Sequence, residues 1–559
     1  MVGHVNMMDD VLISNPLRAL LARGPTNQQT FIQHVQAQLQ EAETQSRPDL
    51  TNPKSIFPRP GVVSEVCLAY LARARCLFSA KMASASIRYH IEFIQCLVSV
   101  PSTWPPGSPI AQLLDTFSGD VIQSMQALRE TGPEGDYLLG ELDELLLTFT
   151  RCRDYCDDAR LPFPFERPER QVQDVMVYLY PEEEEENPLV EMEGGPRGSI
   201  QARLPESSPV ETVQLGSYQI PRLFNGLWQL SSPAWGSANS TNQERALLQL
   251  IETGLVAADM ADHYGDAELV YGGFRNKLSE DVADKVYAAT KWCVFKPINR
   301  QVTSEWVLER VRERHRRLGG RIELLQFHWH NYDSKEYLAI LLELVKITKS
   351  HPELVSSIGL CNFDSDHTDE VCEYIKSEIG EVGVVSNQIQ FSLIDTRPLK
   401  KMIPICQRHN LKLLTYGTFC GGLLSPSWLN KPPPPPYSTT NPLNPSQRKY
   451  FDIITLWSSW PVFQSLLSTL SRIAGKHSVQ IPQVAARWIL QQPAVASVII
   501  GTRLGVAAHG EDNVKVFGWE LDEGDMSNID RAARGEKGER TDALFEKLGD
   551  CGNEYRSEE

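Results

Sequence analysis

Asp259, Tyr264, Lys291 and His328 are residues whose types, taken together, can do chemistry. A tyrosine hydroxyl, with an ordinary pKa of about 10, is a poor acid at neutral pH unless assisted. A lysine ammonium beside it stabilises the phenolate, and an aspartate keeps that lysine charged. A histidine nearby can aim a carbonyl oxygen at the hydroxyl and lend it a hydrogen bond. The set would then deliver a proton during carbonyl reduction, given a hydride from a nicotinamide. Singly each residue is a weak signal, because polar residues at strand ends often only cap and tyrosines often only pack.

These side chains need a scaffold that brings them to one rim. After about residue 213, short apolar runs alternate with longer amphipathic segments. The strand candidates are 224–227, 255–259, 286–290, 324–327, 357–360, 385–389, 412–415 and 498–500. Helix-like stretches lie between them, for example 243–253, 303–318, 337–350 and 399–409. Strand-to-strand spacing is about 27–38 residues, widening to about 86 at the last step. Eight such units predict an α/β fold, a closed (β/α)8 TIM barrel, whose useful side chains stand at the C-terminal ends of strands. Asp259, Lys291 and His328 fall at three such ends, and Tyr264 follows five residues after the first. No Gly-x-Gly-x-x-Gly follows the first strand, which argues against an open dinucleotide-binding sheet. The last gap holds Lys431, five prolines from Pro432 to Pro436, and Tyr437. A stiff surface loop near the substrate rim is expected there.

Upstream, residues 1–160 show helical periodicity, with Phe31, Val35 and Leu39 in one stripe and Leu138, Leu142, Leu145, Leu146 and Phe149 in another. A small all-α domain of four or five helices is expected, with no catalytic constellation of its own. The chain carries 54 basic and 71 acidic residues, a net charge of −17. That charge divides into −5 over 1–160, −7 over 161–210, and −5 over the remainder. The middle segment holds five consecutive glutamates, Glu182–Glu186, and several prolines and glycines, the composition of an extended tether. The expected organisation is a helical domain (1–160), an acidic Pro/Gly-rich linker (161–212), a barrel (213–545) and a polar tail (546–559).

The acidic balance excludes a general nucleic-acid binder, which needs clustered lysine and arginine. No segment approaches the length of a membrane span, and the N-terminus lacks the basic and apolar regions of a secretory signal. The eleven cysteines are sparse and form no disulfide framework. Cys152 and Cys156 share a helix face but lack two further ligands, so no metal is expected. A cytoplasmic protein is expected, with the nucleus as the alternative, and with the helical domain as the surface for any protein partner.

The motifs resemble the aldo-keto reductase family over residues 213–535. Asp259-Met-Ala-Asp-His-Tyr264-Gly265, followed by Glu268, is similar to that family's Asp-Thr-Ala-x-x-Tyr-Gly element. Thr290-Lys291 and Leu325-Gln-Phe-His328-Trp329 are similar to its third and fourth strand ends. Asp262 is a decoy, since only Asp259 has the five-residue spacing to Tyr264. The resemblance implies that Tyr264 is the acid/base, tuned by Lys291 and Asp259, and that His328 orients substrate. Ile358-Gly-Leu-Cys361-Asn362-Phe363 resembles the segment that holds the nicotinamide carboxamide, with Cys361 in place of serine. Gln388 matches a further carboxamide ligand and Tyr416 the aromatic that stacks on the nicotinamide. Thr502, Arg503, Asp512 and Asn513 match the segment gripping the adenosine phosphate and adenine, and His509 stands where many members place a second arginine. NADP(H) is thus the implied cofactor, with NAD(H) as the alternative and no metal. Trp228, Trp292 and Trp329 lie just past strands 1, 3 and 4 and are candidates to wall an apolar substrate pocket.

The expected activity is an NADP(H)-dependent oxidoreductase that interconverts an aldehyde or ketone and its alcohol. A different class stays open: a nicotinamide-binding regulatory or adaptor protein with little turnover. An isomerase or hydrolase on the same barrel is a third reading, because fold alone does not settle function.

Overall fold

The computed structural model describes residues 25–45, 62–100, 103–132, 137–180, 197–205, 207–231, 240–298, 300–435, 443–506 and 510–556. They divide into two compact units, 1–190 with 230–243, and 191–229 with 244–559.

The first unit is all helical in its N-terminal part, with six helices among the described residues: Pro25–Gln45, Glu65–Ser79, Ala83–Ser99, Pro109–Thr131, Leu138–Ala159 and Glu166–Leu179. The stripe on the fifth helix is the side that packs, since Leu138, Leu142, Leu145 and Phe149 are all buried. They join a core with Ile87, Phe93, Phe117 and Val121. Cys152 and Cys156 are in that same core and are free thiols. The sixth helix corrects the expected linker boundary at 161. Phe165, Val172 and Val175 are core residues although the segment around them is rich in Glu and Arg. Its charged residues disguise an amphipathic helix, whose apolar residues are fewer but still recur at helical spacing. The glutamate run at 182–186 lies outside the described residues.

The second unit opens with a hairpin that the sequence pattern did not reveal, β1 (Thr212–Leu215) against β2 (Tyr218–Pro221). Eight strands follow: β3 (Leu223–Gly226), β4 (Ala257–Asp259), β5 (Tyr287–Cys293), β6 (Leu324–His328), β7 (Ile358–Cys361), β8 (Val384–Gln390), β9 (Lys412–Tyr416) and β10 (Val495–Gly501). They close into one parallel barrel, β10 pairing with both β9 and β3. Each matches one of the expected runs. Leu215 and Ile220 of the hairpin join Phe224, Tyr287, Leu324 and Leu414 in the barrel's apolar core.

Helices fill the connections as the alternation predicts. Gly272 shows how tightly they pack, since a Cβ there would meet the Leu318 carbonyl carbon at 2.6 Å. The long step before β10 holds three helices, Pro445–Trp457, Trp460–His477 and Ile481–Leu490. The first begins with a capping box in which Asn444 and Gln447 exchange side-chain-to-backbone bonds. Residues 431–435 form no regular element, and Pro434 is buried there rather than exposed. The rest of the proline run from Pro436 lies outside the described residues.

The segment expected as a polar tail, 546–559, is folded over its described residues. A helix, Glu539–Leu548, leads to a strap over 549–556 that folds back onto the barrel. Arg397 is the hub. Its guanidinium donates to the Asp395 carboxylate (2.8 Å), to the Gly549 and Asp550 carbonyls (3.2 Å each) and to Glu554 (2.9 Å). A buried planar fork saturated in this way fixes the strap by several bonds at once.

Candidate active site

Strand register explains why the reactive groups meet. Within the barrel, Asp259 lies beside Ala289 on β5, and Lys291 beside Gln326 on β6. Alternate residues on a strand point to opposite faces, so Lys291 points inward while Thr290 and Trp292 point out to the helices. The Lys291 ammonium donates to Asp259 Oδ2 (2.7 Å), to the Met260 carbonyl (2.8 Å) and to the Tyr264 hydroxyl (3.3 Å). Asp259 Oδ1 accepts from Gln326 Nε2 (2.9 Å) and Gln388 Nε2 (2.7 Å). Gln326 went unnoticed in the sequence, although its position two residues before His328 on β6 places it on the inner face.

Burial governs the protonation states. It pushes the Tyr264 hydroxyl above its ordinary value, with Lys291 pulling in the opposite direction. Burial alone would lower the Lys291 pKa, but Asp259 and Tyr264 outweigh it and hold the ammonium above its usual range. Tyr264 therefore keeps its proton at neutral pH until an acceptor arrives. His328 is driven down to about 3 by burial and by the Arg556 charge, so its ring is neutral. Its Nδ1 is buried with no hydrogen-bond partner among the described residues. The Phe295 ring lies between His263 (5.1 Å) and His328 (5.3 Å) and is half exposed.

Asp262 is set apart from this cluster. It bonds Arg314 and accepts the Cys293 N–H (3.1 Å), which is a structural role. Thr290 and Arg317 both bond Glu268, a fully buried carboxylate behind the barrel wall.

Of the three tryptophans, only Trp228 is exposed, at 39%. Trp292 packs on Trp306 and Phe327, and Trp329 on Phe327 and Tyr337, all outside the barrel lumen. Both are one residue from an inward-facing catalytic candidate, so strand parity turns them away from the pocket.

On the opposite side of the lumen, Cys361 and Gln388 are register partners. The Cys361 thiol is pushed up to about 12 by burial and is neutral, so it keeps a proton where a serine hydroxyl was expected. Asn362 adopts a left-handed backbone (φ +57°) and accepts the Tyr416 hydroxyl on Oδ1 (2.9 Å). Its Nδ2 donates to none of the described residues. An amide with a donor to spare, beside an aromatic ring and at the strand ends, suits a nicotinamide carboxamide. Arg503 is exposed and forms no ion pair among the described residues, which leaves its charge available to a phosphate. Thr502 bonds the Ile500 carbonyl (3.2 Å), and Asp512 bonds Lys515 (2.7 Å). Asn513 closes the short helix Gly510–Asn513. His509 lies outside the described residues.

The Aldo/keto reductase family profile matches residues 222–534. The chain belongs to this family. It is 24% identical to the chloroplastic pyridoxal reductase of Arabidopsis thaliana over 357 residues, covering 59% of this chain and 88% of that one. It is 23% identical to the NADH-specific methylglyoxal reductase of Escherichia coli K12, covering 52% of this chain and 89% of the relative. The flagellar radial spoke protein 5 of Chlamydomonas reinhardtii is 25% identical over 181 residues, covering 30% of this chain and 33% of that protein. This aldo/keto reductase is thus an NAD(P)-dependent oxidoreductase, and the family supports carbonyl reduction. No helix among the described residues is long and apolar enough to cross a membrane.

Two features of the site lie beyond the matched span or were not singled out in the sequence. Tyr555 and Arg556, from the strap, touch Tyr416 and Asn362. Lys449, from the helix Pro445–Trp457, bonds the Tyr555 hydroxyl. No local pattern could have announced them, because their roles depend on a return of the chain end to the barrel.

Proposed function

We propose that this aldo/keto reductase reduces an aldehyde or ketone with NADPH, and that Tyr264 is its proton donor. The observation that carries this reading is the relay Asp259–Lys291–Tyr264, with contacts of 2.7 and 3.3 Å at the C-terminal rim of the barrel. When bound, the nicotinamide supplies the hydride. Tyr264 holds a proton for the carbonyl oxygen. Lys291 stabilises the phenolate left behind, and Asp259 keeps Lys291 charged. Neutral His328 offers that oxygen a hydrogen bond and orients it toward the tyrosine. Asn362, Gln388 and Tyr416 would hold the nicotinamide end, with Cys361 as a neutral wall. Arg503 would take the adenosine phosphate, with Thr502, Asp512 and Asn513 around the adenine end, and this supports a preference for NADPH over NADH. No metal is needed for this chemistry. A cytoplasmic setting, with no nucleic-acid or membrane partner, fits the reading, and the helical unit remains the surface proposed for any protein partner.

The test is Tyr264→Phe. Loss of a positioned acid should lower kcat by about 10²–10⁴-fold while NADPH still binds in a fluorescence titration. Turnover that survives the change overturns the assignment. The adaptor reading is favoured instead if the wild-type protein binds NADPH but reduces nothing in a broad panel of aldehydes and ketones.

A further inference from the structure

The strap over 549–556 lies past the end of the family match at 534, yet it is built into the active site with care. At Gly552 the backbone has φ +81°, and a Cβ there would meet the Asn362 carbonyl oxygen at 2.1 Å. The strap therefore lies directly on the strand end that carries Asn362. Tyr555 reaches the Tyr416 hydroxyl (3.0 Å), and its ring centroid is 6.4 Å from that of His328. Arg556 donates through Nη2 to the Tyr332 hydroxyl (2.5 Å) and to the Asn362 carbonyl. Its guanidinium also stacks on the Tyr332 ring at 4.5 Å, and Tyr332 lies only four residues past His328.

Among the described residues Arg556 has no counter-charge. Its Nε and Nη1 are buried and bond no acceptor among the described residues, and it forms no ion pair with them. The carboxylates beside it on the strap are committed elsewhere. Glu554 is held by Arg397 (2.9 Å), and Asp550 accepts the Ser365 and Cys551 N–H groups (3.2 and 2.7 Å). Lys449, at the other side of Tyr555, likewise bonds a phenol and no carboxylate among the described residues. Closer to the reaction centre Lys291 is neutralised by Asp259, and Arg314 by Asp262. A half-buried guanidinium with two buried, unmatched nitrogens is costly to keep unless a partner completes it. Its planar fork is matched in geometry by a carboxylate or a phosphate oxygen pair.

We infer that Arg556 is an anion-recognition residue of this site, and that the carbonyl substrate bears a carboxylate or phosphate ester on the side away from the reacting carbon. The inference rests on the carbonyl-reduction reading and adds the substrate class to it. The half-exposed Phe295 ring next to His328 leaves an apolar face for the body of such a substrate.

Three probes of one shape test it with NADPH: 4-carboxybenzaldehyde, 4-formylphenyl phosphate and the neutral 4-carbamoylbenzaldehyde. The wild-type enzyme should favour at least one anionic probe over the neutral one in kcat/KM, and the better of the two identifies the anion. Arg556→Gln should raise KM for that probe by about thirtyfold, at least about tenfold more than it changes KM for the neutral probe. Arg556→Lys should recover part of the loss, since it restores the charge without the fork. Equal kcat/KM for charged and neutral probes in the wild type overturns the inference, as does an equal loss on all three in both variants. If the wild type reduces none of them, the reduction reading fails, and the anion site is judged separately by calorimetric titration of 4-(hydroxymethyl)benzoate with NADP present. Weaker binding by Arg556→Gln then supports the site, and unchanged binding overturns it.

Discussion

At the scale of single residues, the balance between burial and one ammonium decides how Tyr264 works. Burial favours its protonated form, and Lys291, 3.3 Å away, favours the phenolate. Reduction needs the proton and alcohol oxidation needs the phenolate, so the two directions depend on Lys291 unequally. In Lys291→Met the Tyr264 pKa should climb further, because the ammonium that pulls it down is gone while Asp259 and burial remain. Oxidation of an alcohol at pH 8–9 should then fall at least about tenfold more than reduction at pH 7, each pKa unit being worth a factor of ten in phenolate. Paired kcat measurements in the two directions check this, and an equal loss in both would show that Lys291 serves only to place the ring. His328 needs no such partner, being neutral throughout the working range.

At the scale of elements, the strap is the part that positions the extra groups, and Gly552 is its weak point. Gly552→Val places a branched side chain at a left-handed position and against the Asn362 carbonyl. The barrel wall itself is untouched, so the strap should lift while the fold persists. The expected result is cleavage near residue 549 by limited proteolysis, with KM for the substrate raised about tenfold and far-UV circular dichroism unchanged. A protected tail with unchanged KM would mean that the strap tolerates the displacement. The strands were the most legible elements in the sequence, since runs such as 324–327 and 412–415 are short, apolar and regularly spaced, and barrel closure follows from eight of them. The relay residues were nominated by their distance from strands, Asp259 closing β4, Tyr264 following it by five residues and Lys291 lying near the end of β5. The strap and the hairpin at 212–221 were not, because their positions are set by long-range contacts such as Arg397 with Glu554. Helix Glu166–Leu179 was obscured by its charged surface, and Trp292 and Trp329 were misread because nearness in sequence to a catalytic strand end ignores the alternation of faces.

At the scale of the whole molecule, the two units should differ in their response to acid. In the helical unit His90 is fully buried with neither ring nitrogen bonded among the described residues, and burial lowers it to about 3. Its contribution to stability is present above the unfolded histidine value and is lost as pH falls through the window from about 6.5 to 3. Asp120 runs the other way. Burial raises it to about 6 despite Arg75 at 2.6 Å, so the folded unit binds its proton more readily than the unfolded chain and gains stability as pH falls from 6 toward 4. Asp115 is raised by burial as well. Each such group shifts stability by about 1.4 kcal/mol per pH unit inside its window, so His90 and the two aspartates oppose one another and the helical unit should be nearly indifferent to mild acid. The barrel has less compensation. His328, His315 and His330 are lowered by burial, and Arg314 holds Asp262 well below the usual carboxylate range despite its burial. All four take up protons more readily once unfolded, and the histidines do so just below neutrality, whereas Asp452 is raised and is one group set against the four. Scanning calorimetry at pH 7.5 and pH 5 should therefore show the barrel transition moving down while the helical transition holds. Asp120→Asn should make the helical transition acid-sensitive too, because it leaves His90 less opposed. Two transitions that fall together in the wild-type protein would mean that the buried histidines do not set the acid limb.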